Sequence, residues 1–136
     1  IKPKMLEEER YKIFKTYISN LIGCFNDYKE QWPFLKTITG MEIGTFNLQK
    51  YSPGGHFNAL HTERSSAGSQ HRVLAFMTYL NDVNEGGETS FHYYDISVKP
   101  QKGKTIIWPA EWTHAHKGGL IENGSKYIVT GWIQFA

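Results

Sequence analysis

A chain of 136 residues that is 40% hydrophobic and 15% aromatic has enough apolar surface for one core, so we predict a single domain over residues 1–136. The formal net charge is only +2, with 15 basic and 13 acidic residues, which argues against binding to nucleic acid or to a membrane surface. Apolar runs such as Val73–Met77 are far too short to span a bilayer, so we expect no transmembrane segment.

The cysteine content bears on the compartment. Cys24 is the one cysteine and cannot form an internal disulfide, which favours a reducing environment. We therefore predict a cytoplasmic location. Because the sequence begins at Ile1, whether a targeting segment precedes it stays open.

The first predicted element is helical. From about Lys4 to Tyr28 apolar residues recur at helical spacing without an internal proline, which predicts one or two amphipathic helices. We expect residues 1–33 to pack against a sheet as helical support and to carry no chemistry. The apolar positions are Leu6, Ile13, Phe14, Tyr17, Ile18, Leu21, Ile22 and Phe25.

After Trp32 and Pro33 the sequence changes to short β-branched and aromatic stretches separated by Gly, Pro, Asn and Asp, a pattern typical of antiparallel strands. Eight short strands in one domain predict a jelly roll or barrel over residues 40–136. The whole chain is then mainly β with an N-terminal helix (α+β). The predicted strands lie near 43–51, 55–61, 72–80, 88–92, 95–99, 104–108, 112–117 and 126–135.

The strongest chemical signal within the strands is His61-Thr62-Glu63. In an extended backbone residues i and i+2 point to the same face, so one ion can contact both the imidazole and the carboxylate. A second histidine would complete a facial triad that leaves open positions on Fe(II). The triplet alone is weak evidence, because six histidines in one chain often place one near a glutamate by chance.

The second histidine is sought on a distant strand. His114 and His116 are both candidates, and they share a face of the predicted extended segment, so strand parity does not choose between them. Lys126 follows ten positions after His116 and is predicted to return on a neighbouring strand. A buried lysine needs an anion, which a dicarboxylate cosubstrate would supply. Thr130 lies on the same strand face as Lys126.

Together these residues resemble the prolyl 4-hydroxylase branch of the 2-oxoglutarate and Fe(II)-dependent oxygenases. The resemblance covers roughly residues 44–133, and as an ordered set it is far more specific than any one motif. It implies a double-stranded β-helix, the jelly-roll fold of cupin-like barrels. The pattern consists of Tyr51, Gly54 and Phe57, the triplet His61-Thr62-Glu63, Arg72, Thr78-Tyr79-Leu80-Asn81, Glu85-Gly86-Gly87-Glu88-Thr89-Ser90-Phe91, Pro100, Gly103, His116, Gly124-Ser125-Lys126-Tyr127 and Trp132.

The resemblance implies a role for each matching position. His61, Glu63 and His116 resemble the iron ligands, and the ten-residue offset to Lys126 selects His116 over His114. Lys126 resembles the basic residue that pairs with the distal carboxylate of 2-oxoglutarate.

Further positions resemble cosubstrate contacts, namely Tyr51, Tyr79 and Thr130. Candidates for substrate contact are Arg64, Arg72 and His114.

One departure concerns the carboxylate ligand. The common motif is His-x-Asp, whereas this chain has Glu63, which keeps the charge and the hard oxygen but adds one methylene. Since a carboxylate is retained and no site is freed for a halide, halogenation is not expected.

The resemblance implies an iron(II) dioxygenase that uses 2-oxoglutarate and O2, with ascorbate as a further candidate cofactor. It favours hydroxylation of a prolyl residue in a peptide or protein, with release of succinate and CO2. Alternatives are a hydroxylase of a free amino acid or other small molecule, a cupin-type metal enzyme without 2-oxoglutarate, and a non-catalytic jelly-roll binding module. The sequence gives no prediction of the oligomeric state.

Overall fold

The computed structural model describes all residues from 1 to 136 and contains one long helix and seven strands. Helix α1 spans Ile13–Gln31, and short 3-10 turns occupy Pro3–Glu7, Glu9–Tyr11, Pro33–Thr37, Ala67–Ser69 and Trp112–His114. The strands are β1 (Met41–Tyr51), β2 (Arg72–Tyr79), β3 (Thr89–Phe91), β4 (Ile96–Val98), β5 (Thr105–Pro109), β6 (His116–Gly118) and β7 (Lys126–Phe135).

The strands form two antiparallel sheets. The larger sheet has the order β1-β7-β2-β5, and the smaller one has the order β4-β3-β6. Most neighbours in the larger sheet are distant in sequence, as when Met41 on β1 pairs with Phe135 on β7. This arrangement confirms the predicted fold class, a mainly β jelly roll supported by an N-terminal helix.

The core lies between α1 and one face of the larger sheet. Leu21 and Phe25 of the helix pack with Phe46, Phe76 and other buried side chains of β1, β2 and β7. This confirms the predicted packing role of the N-terminal segment, since its apolar stripe covers the sheet. No helix of the structure combines the length and the apolar character needed to cross a membrane.

Two of the predicted strands are wrong. Residues 55–61 form a loop that meets β6 at one bridge, at His61, and through a hydrogen bond from Gly118 N to Phe57 O, so the chain has seven strands instead of eight. The predicted strand at 112–117 begins with the 3-10 turn Trp112–His114, and the extended part starts at His116. Residues 55–61 include Gly55, Asn58 and Ala59, which strands disfavour, and neither segment has a continuous partner strand along its length.

Irregular register occurs at two places in the larger sheet. The pairing of β1 with β7 shifts between Ile43 and Phe46, and the pairing of β2 with β7 shifts between Arg72 and Leu74. Because an extra residue in one strand moves the following side chains to the other face, both shifts change which residues face the interior of the barrel.

Candidate functional site

The two histidines of the predicted triad meet through a backbone bridge. His61 N donates to His116 O at 3.1 Å, and His116 N donates to His61 O at 2.9 Å. Paired residues directly opposite each other in an antiparallel bridge place their side chains on the same side. The ring centroids consequently lie 4.3 Å apart although the residues are 55 positions apart in the chain (116 minus 61).

Both imidazoles present the same nitrogen to this site. His61 Nδ1 lies 2.8 Å from Ala59 O, and His116 Nδ1 lies 2.9 Å from His114 O. A carbonyl oxygen only accepts, so each Nδ1 must donate and each Nε2 is left to face the site. Such backbone partners fix the ring orientation of metal-ligating histidines.

Glu63 brings a carboxylate oxygen to the two Nε2 atoms. Its Oε1 lies 3.1 Å from His116 Nε2 and 3.4 Å from His61 Nε2, while its other oxygen, Oε2, accepts a 2.7 Å hydrogen bond from Trp132 Nε1. One donor atom from each of the three residues lies within 4.8 Å of the others. Two imidazole nitrogens and one carboxylate oxygen form the donor set of a non-haem Fe(II) site, so these residues fit a ferrous ion.

The protonation of the triad follows from the same contacts. Burial by itself raises the pKa of the Glu63 carboxyl, but hydrogen bonds from His116, His61 and Trp132 outweigh it and hold that pKa well below its ordinary value. The hydrogen bond to Glu63 raises the pKa of His61 above its usual value, against the effect of burial. The carboxylate is therefore ionised and attracts positive charge to this point.

His114 lies outside the triad. It ends the 3-10 turn, and its ring stacks against Tyr94 with centroids 4.8 Å apart. The expectation that His114 and His116 share a face is wrong, because the turn breaks the alternation that extended backbone would impose. The structure thus separates two histidines that strand parity left equivalent.

The triad lines a cavity of about 280 Å³ inside the barrel. The opposite wall comes from alternate residues of β1 and β7, since side chains two positions apart share one face of a strand. The lining residues on these strands are Asn47, Gln49, Tyr51, Ile128, Thr130 and Trp132, with Met77 and Trp108 from β2 and β5.

Lys126 is a buried cation beside this cavity. Only 3% of its surface is exposed, its Nζ donates to Gly87 O at 3.0 Å, and it lies 5.1 Å from the centre of the Tyr51 ring. Burial lowers the pKa of Lys126, and the negative charge of Glu88 partly opposes this effect. No carboxylate forms a salt bridge with Lys126. A bound anion would therefore stabilise the buried positive charge of this residue.

Of the three residues that resemble cosubstrate contacts, two line the cavity and the third does not. Thr130 lines the cavity and donates its hydroxyl proton to Phe76 O at 3.0 Å. Tyr51 also lines the cavity, and its hydroxyl bonds Gln49 Oε1 at 3.1 Å. Tyr79 is fully buried, and its hydroxyl is bonded to Thr89 Oγ1 and Val98 O. Burial raises the pKa of both tyrosines.

Of the arginines proposed for substrate contact, Arg72 lines the cavity and Arg64 does not. Arg72 lies on the cavity face because of the register shift in β2, and its guanidinium carbon sits 3.7 Å from the centre of the Trp132 ring. Its Nε is buried without a partner. Arg64 forms an ion pair with Glu111 and approaches the carbonyl of Gln70 at 3.4 Å.

Sequence reasoning missed several residues of the cavity wall. Asn47 and Gln49 precede Tyr51 at intervals of two, so the alternation that grouped the β7 residues would have found them. Trp108 is 4% exposed, and its indole N–H has no partner. No local signal distinguishes it from an ordinary core tryptophan.

Comparison with known sequences gives a consistent family. Residues 46–134 match the family described as the 2OG-Fe(II) oxygenase superfamily. A probable prolyl 4-hydroxylase 9 from Arabidopsis thaliana is 28% identical over 116 residues, covering 66% of this chain and 40% of the relative. The chain thus spans less than half the length of the curated relatives that it matches.

Solved structures resemble the fold. A prolyl-4-hydroxylase from Pseudomonas putida aligns with a TM-score of 0.66 at 20% identity, covering 90% of this chain and 65% of the other. The viral collagen prolyl hydroxylase of Paramecium Bursaria Chlorella virus-1, in its 2OG complex, aligns with a TM-score of 0.61 at 24% identity, covering 80% and 70%. At these identities the likeness concerns the fold.

Proposed function

Because the chain belongs to the 2OG-Fe(II) oxygenase superfamily, we propose that it is an iron- and 2-oxoglutarate-dependent dioxygenase that hydroxylates a prolyl residue of a peptide or protein. The observation that carries the proposal is the convergence of His61, Glu63 and His116 at the wall of a cavity that also has a buried lysine beside it. The prolyl substrate rests on the relatives, which are named as prolyl 4-hydroxylases.

In this proposal the two Nε2 atoms and Glu63 Oε1 hold Fe(II). The backbone carbonyls of Ala59 and His114 keep the rings in the required tautomer. When bound, the iron supplies activation of O2, coupled to oxidative decarboxylation of 2-oxoglutarate to succinate and CO2, for hydroxylation of a C–H bond. A requirement for ascorbate remains a prediction.

Lys126 would bind the distal carboxylate of 2-oxoglutarate. A buried ammonium whose nearest partners are one carbonyl and an aromatic ring lacks the counter-ion that such burial normally requires. Thr130 lies on the same strand face, and its hydroxyl, which donates to Phe76 O in the ligand-free protein, would rotate to donate to the same carboxylate. A cupin-type enzyme that does not use 2-oxoglutarate would leave this cation without a function.

The remaining cavity residues would orient the substrate and exclude water. Arg72 carries a buried, unpartnered Nε and lies at the cavity wall, so it is placed to meet a substrate acceptor group. Arg64 is already paired with Glu111, and His114 lies away from the triad, so contacts of these two with a substrate would be at the periphery. Holding the reacting C–H bond near the metal is the protein's main contribution to the rate.

The test is an anaerobic titration of metal-free protein with Fe(II) and then with 2-oxoglutarate. We expect a weak visible charge-transfer band that requires both additions. His116→Ala should abolish the band, whereas the matched variant His114→Ala should retain it, because only His116 faces Glu63.

Each other result has a definite meaning. Iron binding without the band would overturn the 2-oxoglutarate assignment and favour a cupin-type enzyme. Absence of specific iron binding would favour a non-catalytic binding module. If the band forms, mass spectrometry of proline-containing peptides after aerobic turnover should detect the addition of one oxygen atom. Hydroxylation of free amino acids alone would replace the peptide substrate by a small molecule.

A further inference from the structure

The two oxygens of Glu63 have different partners. Oε1 is the oxygen within 3.4 Å of both histidine Nε2 atoms, whereas Oε2 accepts the Trp132 indole N–H at 2.7 Å. A carboxylate can bind a metal through one oxygen or through both. The indole bond fixes the direction of the oxygen that a two-oxygen mode would need.

We propose that Trp132 is a positioning residue that restricts Glu63 to one-oxygen ligation and so keeps a coordination position free for 2-oxoglutarate. This inference rests on the proposed function. Two histidines and a one-oxygen carboxylate occupy three positions, and the activity requires that the others stay available. A second carboxylate oxygen would compete with the cosubstrate for one of them.

Trp132 is itself held in place by Arg72. The guanidinium carbon of Arg72 lies 3.7 Å from the centre of the indole ring, and its NH1 donates to the backbone carbonyl of Glu63 at 2.9 Å. Arg72 thus fixes the plane of the Trp132 indole, which donates the hydrogen bond, and the backbone of Glu63, whose carboxylate accepts it. Across the sheet Trp132 pairs with Ala75, whose small side chain leaves room for the indole.

The length of Glu63 makes such a restraint necessary. Each added methylene gives a carboxylate another rotatable bond and so more ways to turn its second oxygen towards a metal. In this chain the indole removes that freedom, because Oε2 would lose a charge-assisted hydrogen bond if it turned.

The experiment compares two tryptophan-to-phenylalanine variants. Trp132→Phe removes the donor to Glu63, whereas Trp32→Phe removes an indole that is 58% exposed and lies outside the cavity. Mn(II) serves as an air-stable probe, its bound waters are counted by EPR in ¹⁷O-enriched water, and calorimetry gives the affinity of the Mn(II)-loaded protein for 2-oxoglutarate. We expect Trp132→Phe to lose one bound water and to bind 2-oxoglutarate about 10- to 100-fold more weakly. Trp32→Phe should keep the wild-type water count and 2-oxoglutarate affinity.

Equal water counts and equal 2-oxoglutarate affinity in Trp132→Phe and wild type would overturn the inference. If Trp132→Phe does not fold, Arg72→Met serves instead, since it removes the guanidinium that holds the indole in place but keeps the indole itself. An unchanged water count and an unchanged 2-oxoglutarate affinity in that variant would equally contradict the inference. Failure of the wild-type protein to bind Mn(II) or 2-oxoglutarate is a different result and would overturn the proposed function itself.

Discussion

The two faces of the larger sheet differ in packing and in how many of their buried polar groups have hydrogen-bond partners. On the face towards α1, Val129 and Ile133 of β7 are at most 1% exposed and belong to the apolar core. On the opposite face the same strand carries Lys126, Thr130 and Trp132, which lie in or beside the cavity. Adjacent residues of one strand therefore face the apolar core and the cavity in turn.

The helix-side face is closed to any addition. A Cβ placed on Gly131 would lie 2.8 Å from both Phe46 Cβ and Phe76 Cζ, closer than packed side chains come. The cavity face instead leaves buried donors unpartnered, at Arg72 Nε and Trp108 Nε1. Unpaired buried donors cost stability, so their concentration on one face indicates a surface shaped for a ligand.

The largest effect on stability should come from removing a buried side chain from the face towards α1. Phe46→Ala should lower the free energy of unfolding by about 3–5 kcal/mol, because Phe46 is fully buried between α1 and the sheet. Urea denaturation monitored by circular dichroism measures this change. The affinity of the folded variant for Mn(II) should stay near the wild-type value. A large loss of Mn(II) affinity would show that the two faces are not independent.

Removing the buried cation should have opposite effects on binding and stability. Lys126→Met should weaken 2-oxoglutarate binding by about 2–4 kcal/mol, or roughly 30- to 1000-fold. The ligand-free protein should become more stable by about 1 kcal/mol, because an uncompensated buried charge is lost. Calorimetry and urea denaturation measure the two changes. A destabilised variant with unchanged 2-oxoglutarate affinity would assign Lys126 to structure.

Two threonines on opposite faces of the sheet test the same comparison, with smaller expected changes in free energy. Thr78 faces the helix and bonds Tyr17 and Thr105 through its hydroxyl, whereas Thr130 lines the cavity. Thr78→Val should cost about 1 kcal/mol of unfolding free energy without changing 2-oxoglutarate affinity. Thr130→Val should weaken 2-oxoglutarate binding about threefold to tenfold, consistent with the loss of one hydrogen bond. If the two variants changed the unfolding free energy and the 2-oxoglutarate affinity by equal amounts, the two faces would not differ in function.

The smallest effect concerns pH. Burial lowers the pKa of Lys126 in the folded state, so between that value and the ordinary lysine pKa the unfolded chain binds more protons. The stability penalty of Lys126 is therefore present at neutral pH and disappears as pH rises towards 10.5. The stability difference between ligand-free Lys126→Met and wild type should shrink over this range. Urea denaturation at a series of pH values measures it, and a pH-independent difference would contradict the assignment.

Much of the fold and site followed from local patterns. The apolar period of residues 4–28 predicted a helix against a sheet, and alternation on β7 grouped the cavity-facing residues correctly. The prediction failed at residues 55–61, which have no continuous partner strand and include Gly55, Asn58 and Ala59, residue types that strands disfavour. The roles of the cosubstrate and substrate residues, the single-domain organisation and the cytoplasmic location stay predictions.

By itself the sequence determined which side chains alternate along each strand and which donor types are available, because both depend on neighbouring residues. Strand parity left His114 and His116 equivalent, and the family resemblance selected His116. Only the tertiary structure supplied the physical reason, the bridge to His61 that turns His116 towards Glu63. It also decided that the register shift beside Leu74 turns Arg72 to the cavity. Register and bridging depend on pairing between segments far apart in the chain, and the free energy of that pairing comes from burying the whole face rather than from any local motif.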